Sequence, residues 1–96
     1  MAINFRAFAP HDIRLGQEER PVVNGDHQSA RPGLFICGDL AGHPTLQTSI
    51  KDGAETARAV ADWLSGKGDT APHDYDVVIC GAGAAGISAA LEARQL

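Results

Sequence analysis

The chain has 96 residues, of which 44% are hydrophobic and 21% are charged, and its formal net charge is −4. A chain of this size makes one small domain with a modest core, and this composition is that of a folded protein rather than a disordered one. The negative charge and the scattered Lys and Arg residues argue against a nucleic-acid partner. The uncharged run at residues 77–91 is interrupted by glycine and is too short to span a bilayer, so no membrane partner is expected.

The amino terminus and the cysteines bear on the cellular compartment. Residues 1–15 mix charges with a proline and lack the apolar core of a signal peptide. Cys37 and Cys80 are far apart, and each ends an apolar run just before a glycine. This placement predicts buried free cysteines rather than a zinc site or a dithiol. Together these features predict a cytoplasmic protein.

The first half of the chain is predicted to contain one short buried strand. Residues 1–32 show no sustained period, apart from an extended segment at 21–26 that includes an Asn-Gly turn signal. Residues 34–37 form an apolar run with Pro-Gly before it and Gly-Asp after it. Such a run predicts a buried parallel strand rather than a helix.

Residues 48–64 have helical periodicity. Charged residues, including Asp52, are expected on the outer faces, and one apolar face collects Ile50, Ala54, Ala57, Val60, Ala61 and Leu64. Gly53 interrupts this helix at a cost of about 1 kcal/mol relative to alanine, which predicts that another backbone passes close to it. Residues 65–74 predict a helix end followed by a flexible linker.

The last segment repeats the order of strand, glycine and helix. Residues 75–80 predict a second buried strand, a glycine-rich turn follows at 81–86, and a helix begins at Ala84. The alternation of strands and helices predicts an α/β fold, an incomplete Rossmann-like βαβα unit of parallel strands with flanking helices.

The glycine-rich turn has the form Gly-x-Gly-x-x-Gly between a predicted strand and a predicted helix, which is the context of a dinucleotide-binding fingerprint. Its first glycine permits a tight turn, its second lets the backbone lie against a pyrophosphate, and its third lets the helix pack closely. The helix N-terminus favours a dianionic ligand. The acidic residue that normally contacts the ribose, about 20 residues further on, would lie beyond the end of this chain. The expected phosphate-binding residues are Gly81, Ala82, Gly83, Ala84, Ala85 and Gly86.

These segments resemble the FAD-dependent pyridine-nucleotide-disulfide oxidoreductases, the thioredoxin-reductase-like flavoproteins. Residues 32–64 look like the late Gly-Asp element of that family, and residues 75–96 look like its opening element. The resemblance implies that the fingerprint binds the pyrophosphate of FAD. It also implies that Gly38 and Asp39 contact the ribityl chain of the flavin, and that the helix N-terminus at Gln47 faces the flavin ring.

The order of the two elements departs from that family, because the late element comes first. This order predicts that residues 1–64 are the C-terminal part of one FAD-binding unit, 65–74 a linker, and 75–96 the first strand, turn and helix of a second unit. The resemblance implies a fragment of an FAD-dependent oxidoreductase whose intact parent takes hydride from NAD(P)H. No catalytic residue is predicted, and the chain alone is expected to be inactive.

Two alternatives to the oxidoreductase fragment remain. One is a non-enzymatic nucleotide-binding module, and the other is an interaction piece that associates with copies of itself or with the remainder of a parent protein. Trp63 is expected to be a packing residue. No metal ligand is predicted, because metal-site spacing is absent among His11, His27, His43 and His73.

Overall fold

The computed structural model describes residues 20–67 and 72–96. Within these ranges the chain forms a 3-10 helix at Gly38–Ala41 and two α-helices, α1 at Leu46–Ser65 and α2 at Ala84–Ala93. Neither α-helix of the described part is long and apolar enough to cross a membrane. The positions of α1 and α2 confirm the helices predicted at 48–64 and from Ala84 onward.

Some sequence predictions fall outside the described residues. They are the irregular start at residues 1–19, which includes His11, and the centre of the linker at residues 68–71. The division of the chain into units 1–64 and 75–96 stays a prediction. In the structure, α1 and α2, one from each predicted unit, pack directly against each other.

The predicted α/β fold with parallel strands is wrong. The described ranges contain no β-sheet, and residues 75–80 form no strand longer than a single bridged residue. The pairings whose two residues are both identified are isolated antiparallel bridges, of Val23 with Ser29 and of Gln28 with Phe35. The described part of the protein is therefore a helix pair with irregular segments packed against it.

The backbone of residues 34–37 explains why no parallel sheet forms there. These residues are buried, as the apolar run predicted. Their hydrogen bonds go to the preceding turn, because the Ile36 N–H donates to the His27 carbonyl at 2.9 Å and the Ser29 N–H donates to the Leu34 carbonyl at 2.8 Å. An apolar run predicts burial, but it does not identify the segment that pairs with it.

Helix α1 begins with a side-chain cap. The Thr45 hydroxyl accepts a hydrogen bond from the Thr48 N–H at 3.1 Å, which satisfies one of the N–H groups left without an intrahelical acceptor. The buried face differs from the predicted one, since Ile50 is 47% exposed and Asp52 only 4%. The buried residues of α1 are Ser49, Asp52, Gly53, Thr56, Ala57 and Val60.

The hydrophobic core lies between α1 and the buried segment at residues 34–37. Phe35 packs against Val60, with Trp63, Leu64 and Val77 around them. The rings of Phe35 and Trp63 meet edge to face, with 6.1 Å between their centroids. Burying a side chain such as Phe35 contributes about 1.5–3 kcal/mol to folding. Trp63 is confirmed as a packing residue.

The contact between α1 and α2 depends on a glycine. A methyl group at Gly53 would overlap the carbonyl oxygen of Ala85, so the two helix backbones meet there. Two polar contacts flank this point: the Ser88 hydroxyl donates to the Ile50 carbonyl at 2.6 Å, and Arg58 pairs with Glu92 at 3.0 Å. The prediction that another backbone passes close to Gly53 is confirmed.

Replacing Gly53 by alanine should destabilise the protein. We expect the free energy of unfolding to fall by about 1–3 kcal/mol, because overpacking at the crossing outweighs alanine's better helix propensity. Gly66→Ala is the matched control, since Gly66 follows the same helix with φ −82° and its added Cβ would make only ordinary contacts, the nearest at 3.7 Å. Urea denaturation measures both variants, and equal stabilities would contradict the tight crossing.

Candidate functional site

Two of the fingerprint glycines are explained by the fold itself. Gly81 has φ +106°, a conformation that side chains with a Cβ rarely adopt. A Cβ at Gly86 would overlap the carbonyl oxygen of Gly81, so the start of α2 packs directly on the turn before it. These two glycines therefore shape the turn whether or not a ligand binds.

Gly83 has no such explanation. It is the N-cap of α2 with φ −77°, a value open to any residue, and no side chain of the described residues caps the helix at this end. Within residues 20–67 and 72–96, a Cβ built on Gly83 meets no atom within 4 Å beyond its chain neighbours. The first N–H groups of α2 have no intrahelical acceptor, and Gly83 leaves them without the side-chain oxygen that Ser, Thr or Asp would supply. The turn thus has an open approach to the helix N-terminus.

The neighbouring alanines of the fingerprint differ in exposure. Ala82 is exposed and Ala84 half-buried, whereas Ala85 is buried against α1. Of these three residues, Ala82 and Ala84 are therefore the ones that a ligand could contact. Ala85 instead holds the start of α2 in place.

The 3-10 helix brings the predicted Gly-Asp element to the start of α2. Gly38 is buried with φ +80°, and a Cβ there would lie 2.8 Å from the Cβ of Ala85. Asp39 follows directly and is exposed, and its carboxylate makes no hydrogen bond or ion pair within residues 20–67 and 72–96. The structure therefore places Gly38 against the fingerprint residue Ala85, with exposed Asp39 next to it in the chain, although the sequence analysis assigned Gly38 and the fingerprint to different units.

Gln47 lies at the start of α1 and is exposed. The Thr48 N–H in the same turn already donates to Thr45, so it is not open to a ligand in this arrangement. The N-terminus of α1 is thus partly satisfied by its own cap, whereas that of α2 has no side-chain cap. The end of α2 is the stronger candidate for binding an anion.

A second group of polar residues surrounds Asp52, and we call His27, His43, Asp52 and Glu55 the Asp52 cluster. One Asp52 oxygen accepts a hydrogen bond from the Gly38 N–H at 2.6 Å. The other lies 3.1 Å from His27 Nδ1 and 3.0 Å from His43 Nδ1. The remaining ring nitrogen of His27 lies 3.6 Å from a Glu55 oxygen.

A tight turn places His27 in this cluster. The Asn24 side-chain oxygen accepts hydrogen bonds from the Asp26 and Gln28 N–H groups at 2.8 and 3.0 Å. His27 itself adopts φ +65°, the left-handed region, and its carbonyl is held by the Ile36 N–H. Asn and His are among the residues that tolerate this region best.

Sequence reasoning missed the Asp52 cluster for two reasons. It considered only the spacing of the histidines along the chain, whereas His27 and His43 meet Asp52 through the fold. It also expected Asp52 on an outer face of α1, although this carboxylate is buried. The available signal was the spacing of Asp52 and Glu55, which places both carboxylates on one side of a helix.

Comparisons with known proteins assign no family to this chain. No protein-family model matches it, and neither the curated proteins nor the solved structures include a match. Its function must therefore be argued from its own residues.

Removing the Asp52 carboxylate should destabilise the fold. Asp52→Ala leaves the buried Gly38 N–H without its acceptor, and we expect a loss of about 1–3 kcal/mol in the free energy of unfolding. Asp62→Ala is the control, because Asp62 is an exposed carboxylate on the same helix and such surface changes usually stay within about 0.5 kcal/mol. Amide hydrogen exchange checks the cause: Gly38 should exchange faster in Asp52→Ala, and unchanged protection would refute it.

Proposed function

We propose that this protein binds the diphosphate of FAD where the 3-10 helix meets the start of α2, as a fragment of an oxidoreductase that uses flavin and NAD(P)H. The observation that carries the proposal is Gly83. Its backbone conformation does not require glycine, and neither does packing against any residue that the structure describes. A ligand that approaches the backbone more closely than a Cβ allows would require it.

The donor and acceptor groups at this place match the two chemical parts of such a ligand. The first N–H groups of α2 and the positive end of its dipole favour an anion such as a diphosphate. The Asp39 carboxylate accepts hydrogen bonds only, so it would repel a phosphate but bind a hydroxyl group. Anion-binding amides beside a hydroxyl acceptor suit a sugar or polyol diphosphate, and FAD contains both groups.

In this proposal the chain binds and orients the cofactor. Flavin, when bound, supplies the redox chemistry, and NAD(P)H is the hydride donor of the intact parent. Gly81, Gly83 and the α2 amides hold the diphosphate, and Asp39 positions the hydroxyl-bearing chain beside it. The chain alone is expected to be inactive, and we place it in the cytoplasm, with the dinucleotide and the remainder of its parent, or a second copy of itself, as partners.

A non-enzymatic nucleotide-binding module is the second candidate. It is favoured by the composition of the site, because the fingerprint consists of glycine and alanine and contains no nucleophile or histidine, and Asp39 is the one carboxylate assigned to the site. Flavin binding without NAD(P)H oxidation, even after the missing parts of a parent are supplied, would support this candidate over an oxidoreductase.

The variant Gly83→Ser separates ligand binding from stability. Serine is a good N-cap, so the helix should keep its stability or gain some, while the added side chain fills the approach to the α2 amides. We expect FAD to bind about tenfold more weakly, which corresponds to about 1.4 kcal/mol. Isothermal titration calorimetry measures the affinity, and urea denaturation the stability.

Gly25→Ser is the matched control for this variant. Among the described residues, a Cβ at Gly25 also meets no atom within 4 Å, but Gly25 belongs to the turn before His27 and not to the fingerprint. It should bind FAD like the original chain. Failure of the original chain to bind FAD, or equal weakening by both serines, would refute the proposed site.

Removing the Asp39 carboxylate tests the hydroxyl contact. We expect Asp39→Ala to weaken FAD binding by roughly ten- to a hundredfold, the loss of a charge-assisted hydrogen bond. Binding of inorganic pyrophosphate should stay equal or become tighter, because a negative charge has been removed. Asp62→Ala serves as the control with the same change in net charge, and parallel weakening of both ligands by Asp39→Ala would contradict the assigned role.

A further inference from the structure

We propose that the Asp52 cluster binds a divalent first-row transition metal ion such as Zn²⁺, with His27, Asp52 and Glu55 as ligands. This inference goes beyond the proposed flavin site and does not depend on it. The two places touch different sides of Gly38, whose backbone N–H donates to Asp52 while its Cα faces Ala85.

The donor atoms are close enough to share one ion. One potential ligand atom from each of His27, Asp52 and Glu55 lies within 4.8 Å of the others. Zinc lies about 2.0–2.2 Å from nitrogen and oxygen ligands, so neighbouring ligands around it are roughly 3–3.5 Å apart. His27 Nδ1 and an Asp52 oxygen are 3.1 Å apart, which fits this spacing. Glu55 is on the neighbouring turn of α1 and has an oxygen 3.6 Å from Nε2, the other ring nitrogen of His27. Its partly exposed side chain has to rotate toward Nδ1 to reach the same ion.

The surroundings hold the central ligands in place. Asp52 is 4% exposed and its second oxygen is fixed by the Gly38 N–H, which leaves the first oxygen directed at the histidines. His43 Nδ1 lies 3.0 Å from that same Asp52 oxygen and is placed to add a further imidazole. The hydrogen bond from the Gly38 N–H to Asp52 is an outer contact, one that orients a metal ligand and raises metal affinity. His43 and Glu55 are both more than 40% exposed, so an ion can enter between them.

The kinds of ligand decide the kind of ion. Imidazole nitrogen combined with carboxylate oxygen suits Zn²⁺ and its first-row neighbours. Mg²⁺ and Ca²⁺ prefer oxygen ligands alone and usually take more of them. The cluster should therefore bind Zn²⁺ in preference to either of these ions.

Hydrogen bonds could hold the same groups together without a metal, because His27 has a carboxylate near each ring nitrogen. The two arrangements differ in measurable behaviour, since a metal site takes up one ion at fixed stoichiometry.

Zinc titration of the full chain tests the proposal. Isothermal titration calorimetry should show one tight site, and the His27 imidazole resonances should shift on binding. His27→Asn keeps a residue that tolerates the left-handed turn, and Glu55→Gln keeps the shape of the side chain. Each should weaken Zn²⁺ binding by on the order of a hundredfold, since even outer contacts are worth ten- to a hundredfold. The matched controls are Asp62→Asn, His73→Asn and Cys80→Ser, which should all bind like the original chain.

Each result decides the matter. One site lost in the two ligand variants and kept in the three controls supports the proposal. No zinc binding would overturn it. Equal effects in ligand and control variants, or loss in His73→Asn or Cys80→Ser alone, would overturn it by showing an adventitious ion only. Circular dichroism of every variant confirms folding before titration. If His27→Asn does not fold, His27→Gly replaces it.

Discussion

Helices α1 and α2 cross with their backbones in contact, and the placement of the other elements follows from that crossing. The contact is made by small residues, because Gly53 leaves room for the carbonyl of Ala85. The Cβ of Ala85 in turn occupies the space that Gly38 leaves empty. Three small residues from three segments therefore meet at one point, and a larger side chain at any of them would separate the segments. Dispersion and burial favour such close approach wherever the backbone can reach.

This meeting point also connects the two candidate sites. Gly38 contacts α2 on one side and donates its N–H to Asp52 on the other. Asp52 is the residue before Gly53, so the carboxylate and the helix crossing lie on the same turn of α1. A change in the position of Gly38 would therefore displace its contacts at both the α2 N-terminus and the Asp52 cluster. The physical link is one hydrogen bond and one van der Waals contact, with no long chain of residues between them.

The sequence predicted the helices and the glycine contacts because these are local properties. The helical spacing of apolar residues is a property of the α1 sequence itself, and Gly53 is unfavourable enough in a helix to indicate a close neighbour. The sheet was predicted wrongly because burial of residues 34–37 does not specify a pairing partner, and the turn at His27 provides one nearby. For the Asp52 cluster, only the spacing of Asp52 and Glu55 is a local signal. The rest of the cluster depends on which face of α1 is buried and on two histidines brought in by separate turns.

The single tryptophan of the chain lies in the last turn of α1, beyond the close approach of the two helices at Gly53. Trp63 packs edge to face against Phe35, and a Cβ built on Gly33 would lie 3.1 Å from its ring. The Lys67 ammonium lies 4.4 Å from the centre of one Trp63 ring. Its fluorescence therefore reports the packing of the buried segment on α1, with quenching sensitive to the nearby charge. An emission change during denaturation would follow detachment of that segment, whereas separation of the two helices could pass unseen by this fluorophore.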